Sequence, residues 1–276
     1  MNAAHKKGLK IVVSAIVNPS NRLKLLLNKF AAKFLRQMNS YKKNKGILDV
    51  ANVIICETEK EKDFVVKAYS VEENKVCVIP NGVDKVREDA SEEYFRKKTG
   101  IEGRFILQVG RFDPNKNQLS VIEAVKGTDM QLVLIGGADN NHEEYYNKCK
   151  ATAGENVHFL GWIDHNDPLL YSAYKAAQAF VIPSHKEIFG NAMFESGIYG
   201  CNIVATKALP LDTWGFDKYC YVIDSKNVED IKDKLSEAYC SEKNGFISDI
   251  IAKKFSWESV INDHIEIYKS VLKERG

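Results

Sequence analysis

Two segments of the chain bring cations and glycines together directly after short apolar runs. In the first, Arg111 and Lys116 supply two positive side chains, and Gly110 lets a ligand approach the backbone closely. Two cations near the start of a following helix favour a phosphate or a diphosphate. Charged residues in a loop are often only solvated, so this segment by itself leaves both interpretations open.

The second segment adds another anion site and two carboxylates. Gly190 permits a tight turn, and the backbone N–H groups of Gly190, Asn191 and the next residue would point at a ligand where a helix begins. Glu187 precedes that helix, and Glu195 follows eight positions later inside it. An ionised carboxylate accepts hydrogen bonds from hydroxyl groups, so both glutamates suit sugars. The alternative is that they are only solvated.

A third group follows the predicted strand at 157–160. A nucleobase could lie against the loop that holds Trp162 and Ile163, although a tryptophan at such a place is more often part of a core. His185, beside Glu187, has either a direct catalytic role or a structural one. Together the three groups predict a pyrophosphate held between cations and a helix end, with a sugar on each side.

Several motifs of other enzyme classes are absent from the sequence. It has no G-x-G-x-x-G, no G-x-x-x-x-G-K-[ST] and no G-x-S-x-G, which disfavours a dinucleotide site, a P-loop and a hydrolase nucleophile elbow. Because there is no Asp-x-Asp, we expect no metal bound to the diphosphate. The six cysteines are at least nineteen residues apart, so neither a zinc knuckle nor a redox dithiol is expected. They are typical of reduced thiols in a cytosolic protein.

The elements that position these groups alternate between short apolar strands and helices. This alternation predicts crossover units and a parallel sheet, whose ligands bind at the carboxyl ends of the strands. The predicted strands are 9–17, 52–56, 75–79, 105–109, 131–135, 157–160, 179–182, 203–205 and 220–223. The predicted helices are 20–43, 58–69, 118–125, 143–153, 168–177, 192–199, 228–239 and 257–273. The charged stretch 84–98 is expected to be a linker that runs into a further short helix.

Charge is unevenly distributed along the 276 residues. Residues 1–46 contain eleven Lys and Arg and no Asp or Glu, whereas the remainder has a net charge of −9. The predicted helix 20–43 is basic and amphipathic, which favours either contact with an acidic membrane surface through residues 6–45 or packing on a sheet with a solvated basic face. Nucleic acid is the less favoured anionic partner, because no aromatic-basic motif accompanies the charge. No apolar run is long enough for a membrane span.

The motifs together resemble the family 4 retaining glycosyltransferases, which have the GT-B fold. The resemblance runs from about Leu48 to Leu272. It implies an α/β protein with a Rossmann-type parallel-sheet donor domain. The residues that carry it are the run Val78-Ile79-Pro80-Asn81-Gly82-Val83-Asp84, Val109-Gly110-Arg111 with Lys116, Pro183-Ser184-x-x-Glu187-x-Phe189-Gly190 with Glu195, and Phe255-Ser256-Trp257 before a helix with Tyr268.

The resemblance implies a role for each matched residue of the donor site. Arg111 and Lys116 would hold the diphosphate of a nucleotide sugar, Glu187 would contact the transferred sugar, and Glu195 would bind the ribose hydroxyls. The backbone of Phe189, Gly190 and Asn191 would lie against the sugar and phosphate. Arg111, Lys116 and Glu187 are the expected catalytic residues. Gly110 and the residues of the third group, Trp162 and Ile163, are added to the expected donor site. The resemblance further implies no metal, no cofactor besides the donor, and no protein nucleophile, because front-face attack would retain the anomeric configuration.

The resemblance also implies a domain organisation with a shortened first half. We expect a partial acceptor-side α/β domain at 1–84, a donor-binding domain at 85–256 and a last helix at 257–276 that crosses back to the N-terminal part. The expected activity is glycosyl transfer to a glycan or lipid-linked acceptor, as in cytoplasmic or membrane-associated polysaccharide biosynthesis. The alternatives are a non-catalytic nucleotide-sugar-binding subunit and half of a split enzyme, whose partner supplies the missing acceptor half.

Overall fold

The structure, a computed structural model, describes residues 7–15, 40–138, 140–243 and 245–273. The chain divides into two compact units. One combines Met1–Gly82 with Trp257–Gly276, and the other is Val83–Ser256. Among the described residues, no helix has both the length and the apolar character needed to cross a membrane.

The described residues form nine strands and eleven α-helices. In chain order these are β1 (Val12–Ser14), α1 (Ser40–Asp49), β2 (Val53–Cys56), α2 (Glu59–Tyr69), β3 (Val76–Val78), α3 (Glu92–Thr99), β4 (Phe105–Val109), α4 (Gln118–Val125), β5 (Gln131–Ile135), α5 (Glu143–Thr152), β6 (Val157–Gly161), α6 (Pro168–Ala176), β7 (Ala179–Ile182), α7 (Asn191–Ile198), β8 (Asn202–Thr206), α8 (Leu211–Trp214), β9 (Tyr221–Ile223), α9 (Val228–Cys240), α10 (Phe246–Lys254) and α11 (Trp257–Lys273).

The unit formed by the two ends of the chain contains a parallel sheet in the order β1-β2-β3. Helix α2 begins at Thr58, whose hydroxyl accepts a hydrogen bond from the backbone N–H of Glu61 and so caps the first turn. Helix α11 contributes Val260 to a buried cluster with Ile55 of β2 and with Ile79 just after β3. The last helix of the chain therefore packs on the sheet of the first eighty residues.

The second unit contains a six-stranded parallel sheet in the order β6-β5-β4-β7-β8-β9. Its four central strands are largely buried on both faces, and each face is covered by helices over its own hydrophobic cluster. The chain runs outward from β4 to β6 on one side and then from β7 to β9 on the other. The strand order thus reverses between β4 and β7, which is where ligands bind in sheets of this kind.

The two ends of this second unit lie side by side. The backbone N–H of Val83 donates to the carbonyl of Phe255 at 2.7 Å, and Val83 pairs with Ser256 as an isolated parallel bridge. Both Val83 and Phe255 are buried in the same hydrophobic cluster. The unit is therefore closed where the chain enters and leaves it.

The predicted α/β fold with parallel sheets is confirmed, and within it most element positions agree to within one or two residues. The strand predicted at 9–17 is shorter, since β1 spans Val12–Ser14, and residues 16 and 17 lie outside the described part. Two helices were not predicted, namely the single turn α8 and the nine-residue α10. Helix α10 buries Ile247 and Ile251 but leaves Phe246 exposed, so its apolar residues do not all mark the buried face.

The predicted end of the first long helix is wrong. We expected a helix over 20–43, of which residues 20–39 lie outside the described part, but α1 continues past Lys43 and Gly46 to Asp49. A glycine inside a helix costs about 1 kcal/mol relative to alanine. Here, Tyr41 and Leu48 are buried in the cluster around β2, so packing outweighs the low helix propensity of Gly46.

Candidate functional site

Two loops meet at the reversal of strand order. The β4 loop (residues 110–117) and the β7 loop (residues 183–190) follow neighbouring strands at their carboxyl ends. The N–H of His185 donates to the carbonyl of Asn115 at 2.9 Å, and the Asn115 side-chain amide donates to the carbonyl of Lys186 at 2.9 Å. These two hydrogen bonds tie one loop to the other.

An ion pair between the loops joins two of the predicted site residues. Lys116 Nζ lies 2.7 Å from Glu187 Oε2, and the side chains are 32% and 13% exposed, respectively. Because the Glu187 carboxylate is largely withdrawn from water and the ammonium less so, the attraction is stronger than in a surface pair. An ammonium group and a carboxylate that can accept hydrogen bonds from hydroxyls are therefore in direct contact at the carboxyl edge of the sheet.

The shape of the β4 loop depends on the buried carboxyl group of Asp113. Its Oδ1 accepts hydrogen bonds from the backbone N–H groups of Asn115 at 2.8 Å and of Lys116 at 3.2 Å, while Oδ2 lies 3.2 Å from the Arg111 guanidinium. The Arg111 side chain is 60% exposed. Asp113 thus folds the turn that carries Lys116 and orients Arg111 beside it.

Two glycines allow the β4 loop to rest on the end of β5. Gly136 has φ +149°, and a Cβ added to it would lie 2.1 Å from the carbonyl oxygen of Gly110. The N–H of Gly110 donates to the carbonyl of Ile135, and that of Phe112 to the carbonyl of Gly137. A side chain at position 136 would therefore push the β4 loop off the sheet edge.

Helix α7 begins on the other side of the ion pair. Gly190 is in the left-handed region at φ +80° and provides no side-chain cap, so the first turn of α7 is left to other hydrogen-bond acceptors. Phe189 is buried and stacks on Phe194 at a centroid distance of 4.2 Å. This stack fixes the helix start next to Glu187, whose Cγ would lie 3.4 Å from a Cβ on Gly190.

The carboxylate of Glu195, in the second turn of α7, has a different partner. Its Oε2 accepts a hydrogen bond from the hydroxyl of Tyr174 on α6 at 2.8 Å. Tyr174 is fully buried, and burial, followed by the charge of Glu195, holds the pKa of its hydroxyl well above the ordinary value. Glu195 is half-buried and bonds to this tyrosine rather than to the Lys116–Glu187 pair.

The loop after β6 presents the third predicted group at the same sheet edge. Gly161 adopts φ +72°, and its carbonyl accepts from the N–H of Gly136 at 2.8 Å, which joins the ends of β5 and β6. Trp162 is 71% exposed, so the alternative that it belongs to a core is wrong. Ile163 packs against the hydrophobic cluster below the loop.

His185 is held by a hydroxyl group rather than by a carboxylate. Its Nδ1 lies 3.0 Å from Ser225 Oγ in the loop after β9. Partial burial, together with the nearby charges of Lys226 and Lys186, lowers the pKa of His185. The imidazole is therefore largely neutral at pH 7.

Several side chains that shape the site were given no role from the sequence. Asp113 could have been recognised from the Asp-Pro turn signal, whereas Asn117 could not, because its amide donates to the carbonyl of the distant Ser225 at 2.8 Å. Tyr174 is one of many apolar-face residues on α6, and only the packing shows that it contacts Glu195. In the part of the chain that the structure describes, no cluster of three His, Cys, Asp or Glu side chains is arranged to hold a metal ion.

Comparison with known proteins identifies relatives for most of the second unit. The family model of "Glycosyl transferases group 1" matches residues 91–245. The chain is 33% identical over 139 residues to D-rhamnosyltransferase WbpZ of Pseudomonas aeruginosa, a match that covers 48% of this chain and 35% of that protein. It is 26% identical over 250 residues to a Campylobacter jejuni protein, with 83% of this chain and 63% of that protein covered. The latter is named N-acetylgalactosamine-N,N'-diacetylbacillosaminyl-diphospho-undecaprenol 4-alpha-N-acetylgalactosaminyltransferase.

Among solved structures, the fold is similar to that of Anabaena Alr3699/HepE in complex with UDP and glucose. The TM-score is 0.77 at 16% sequence identity, and the match covers 97% of this chain and 73% of the other. The chain spans between 35% and 63% of the length of the curated relatives named above.

Proposed function

Because the chain belongs to the glycosyl transferases group 1 family, we propose that it transfers a sugar from a nucleoside diphosphate donor to a hydroxyl group of a glycan or lipid-linked acceptor, with retention of the anomeric configuration. The observation that carries this proposal is the Lys116–Glu187 contact between the two loops at the strand-order reversal. In this contact, the cation that we propose for the diphosphate lies beside the carboxylate that we propose for the sugar.

On the phosphate side, the positive groups act on the leaving group. Arg111, Lys116 and the N-terminal end of α7 surround the position proposed for the diphosphate. As the bond to the sugar breaks, negative charge develops on the phosphate oxygen, and fixed cations with helix N–H groups stabilise it there. The Asp113 turn and the Phe189–Phe194 stack hold these groups before the donor binds, so little reorganisation is needed.

On the carbohydrate side, the two glutamates accept hydrogen bonds. Glu187 is proposed to bind the hydroxyls of the transferred sugar, and Glu195 those of the ribose. The exposed Trp162, with Ile163 beside it, offers a surface for the nucleobase. Lys116, paired with Glu187 before binding, turns to the diphosphate when the sugar hydroxyls satisfy that carboxylate.

The proposed reaction balances without a protein nucleophile or a metal. The acceptor hydroxyl oxygen forms a bond to the anomeric carbon from the same face as the leaving group, so the configuration is retained. The bond between that carbon and the phosphate oxygen breaks, and its electron pair leaves with the nucleoside diphosphate. The proton of the acceptor hydroxyl passes to the departing phosphate oxygen.

Names of similar proteins support the donor and acceptor classes. Structures of Alr3699/HepE contain UDP-glucose or UDP, and the Campylobacter jejuni relative is named for transfer to a diphospho-undecaprenol acceptor. By the chemistry of such acceptors, we place the reaction at a membrane surface reached from the cytoplasm. A partner that supplies acceptor-side residues is part of the proposal.

The donor site is tested by thermal unfolding with UDP, GDP and ADP. A ligand present at 100 times its Kd stabilises the folded state by about 2.7 kcal/mol. We expect one nucleotide to raise the melting temperature of the protein and Arg111→Ala to weaken its binding by about 10- to 100-fold. The matched control is Arg104→Ala, because Arg104 precedes the opposite, amino end of β4 and contacts Glu242.

The outcomes of the donor-site test separate the alternatives. No stabilisation by any of the three nucleotides, or equal losses for Arg111→Ala and Arg104→Ala, would remove the donor site. Nucleotide binding followed by release of the sugar from the donor, measured by mass spectrometry, supports the transferase. Binding without sugar release identifies a nucleotide-sugar-binding subunit and contradicts catalysis by this chain alone.

A further inference from the structure

Tyr174 is enclosed on all sides, although it carries a polar hydroxyl group. Its ring makes an edge contact with Phe180 at a centroid distance of 6.0 Å and packs against Tyr171 and Tyr199. A buried hydroxyl without a partner costs roughly 1–3 kcal/mol, so such a group is retained only where it is hydrogen-bonded. The partner of this hydroxyl is Glu195 Oε2, at 2.8 Å.

The direction of this hydrogen bond is fixed by chemistry. An ionised carboxylate only accepts, so the tyrosine donates its proton to Glu195. Burial and the adjacent carboxylate raise the pKa of Tyr174, which keeps the proton on its hydroxyl throughout the working pH range. Within the described part of the chain, no donor contacts Glu195 Oε1, and Glu195 is half-buried.

A fixed Oε2 limits where Oε1 can point. A glutamate has three rotatable side-chain bonds, and in a half-buried position the carboxylate samples several orientations unless one oxygen is tied down. Tyr174 ties it down from inside the core. In this arrangement the other oxygen is left to accept hydrogen bonds from hydroxyl groups of a ligand.

We propose that Tyr174 is a positioning residue that orients Glu195 so that the site prefers nucleotides with an intact ribose over their 2′-deoxy forms. This inference rests on the donor site proposed above. Tyr174 does not touch the nucleotide in this arrangement. Its effect on binding passes through the carboxylate of Glu195, and it therefore depends on the ribose hydroxyls.

The neighbouring tyrosines provide a matched control. Tyr171 is on the same helix and in the same aromatic cluster, but its hydroxyl lies 3.2 Å from His165 Nε2. Tyr171→Phe removes one hydroxyl from this cluster, as Tyr174→Phe does, and leaves the hydrogen bond to Glu195 in place. Both variants keep the aromatic ring and its packing.

The experiment measures a ratio of affinities in the full chain. UDP, GDP or ADP, whichever binds, is titrated together with its 2′-deoxy form into the wild type, Tyr174→Phe, Tyr171→Phe, Glu195→Ala and the double variant Tyr174→Phe/Glu195→Ala. We expect the wild type to prefer the ribose form and Tyr174→Phe to reduce this preference by about three- to tenfold, since a lost hydrogen bond changes an equilibrium by that order. Tyr171→Phe should keep the wild-type ratio.

A general loss of stability would weaken both nucleotides alike, so the ratio isolates positioning. In the Glu195→Ala background, Tyr174→Phe should change the ratio no further, because the carboxylate that it orients is gone. The double variant leaves neither partner unpaired, which keeps the comparison available even where Tyr174→Phe alone folds poorly. Thermal unfolding of each variant checks that it is folded at the assay temperature.

If Tyr174→Phe keeps the wild-type ratio while Glu195→Ala loses the ribose preference, the positioning role is overturned and the donor site stands. A further loss on adding Tyr174→Phe to Glu195→Ala would overturn it too, since the tyrosine would then act by another route. A different pattern, in which the wild type binds no nucleotide or Glu195→Ala keeps the ribose preference, contradicts the donor site itself, and the role of Tyr174 falls with it.

Discussion

Glu187 and Glu195 are eight positions apart, yet they are held in opposite ways. Glu187 pairs with the charged and partly exposed Lys116 of another loop, whereas Glu195 accepts from the neutral and fully buried hydroxyl of Tyr174. An ammonium on a flexible stem can exchange one anion for another, while a buried hydroxyl has no alternative partner. One carboxylate can therefore change its partner, whereas the other is held in a fixed geometry.

The elements around the two glutamates follow the same division. Glu187 lies in the β7 loop, which is fastened to the β4 loop by backbone and amide hydrogen bonds through Asn115. Glu195 lies within α7, whose start is packed by the Phe189–Phe194 stack. Changes in the loops should therefore alter phosphate binding, and changes in the helices should alter recognition of the ribose.

The largest effect is expected from a change that dislodges the β4 loop. Gly136→Ala puts a methyl group into the carbonyl of Gly110 and strains a backbone at φ +149°. We expect the free energy of unfolding to fall by about 3 kcal/mol or more, because steric overlap and backbone strain each cost of the order of 1–3 kcal/mol. Chemical denaturation measures this change.

Gly127→Ala is the control for backbone strain alone. Gly127 has φ +71°, but a Cβ there meets no atom within 4 Å, so we expect a loss of about 1–2 kcal/mol. Equal losses for the two alanine variants would show that the β4 loop does not rest on Gly136 as described.

The next largest effect is expected at Glu195, whose carboxylate is held by Tyr174. Glu195→Ala removes the proposed acceptor for the ribose hydroxyls, and we expect nucleoside diphosphate affinity to fall by about 10- to 100-fold, as for a hydrogen bond to a charged group. Calorimetric titration measures it. Inorganic pyrophosphate, which has no ribose, should bind the variant and the wild type equally, and an equal loss for pyrophosphate would contradict this assignment.

A change at Glu187 should alter nucleotide affinity in the opposite direction. Glu187→Gln releases Lys116 from its ion pair, so a nucleoside diphosphate without a sugar should bind more tightly, by at least the two- to fivefold expected for a surface pair worth up to ~1 kcal/mol. Transfer of the sugar should decrease, because the carboxylate that is proposed to hold it is lost. Weaker binding of the nucleoside diphosphate by Glu187→Gln would show that the two carboxylates act alike.

The smallest effect concerns pH. The pKa of His185 is lowered by burial and by the charges of Lys226 and Lys186, so below pH 6.5 the unfolded chain binds more protons at this site than the folded chain. Stability should therefore fall as the pH drops from 6.5 towards the lowered folded-state pKa, and it should be fully present above pH 6.5. Thermal unfolding between pH 5 and 8 should show a shallower decrease for His185→Asn than for the wild type.

His158 serves as a comparison for the histidine prediction. Burial also lowers its pKa, but it lies on β6, where its Nε2 is 3.2 Å from the side-chain oxygen of Gln131. His158→Asn should flatten the pH dependence of stability without changing nucleotide binding. A pH dependence that is unchanged in both variants would show that neither histidine is kept neutral by folding.

The strands of the second unit could be predicted because they are short and apolar and alternate with helices. The first residues after β4 and β7 were recognisable from their charge and from Gly110 and Gly190. Which strands are neighbours could not be predicted, because the order β5-β4-β7 depends on packing between distant segments. The Lys116–Glu187 contact follows from that order, so the sequence indicated both residues without showing that they touch.

The sequence was less informative where a local signal and the packing disagree. The helix that was expected to end at Lys43 continues to Asp49, because the burial of Leu48 outweighs the low helix propensity of Gly46. Tryptophan is typical of a hydrophobic core, but Trp162 is exposed just after the end of β6. The partner of Glu195 could not be inferred, because Tyr174 lies on a helix with many other buried residues, and only the tertiary structure selects it.

The hydrogen bond between Val83 and Phe255 makes residues 83–256 an insertion whose entrance and exit are adjacent. A segment with neighbouring ends can be exchanged for another of the same fold at little cost in loop-closure entropy, since the host chain has only a short gap to bridge. The six-stranded sheet and its loops can in this way be replaced as one cassette, while the sheet of the first eighty residues and its last helix stay unchanged.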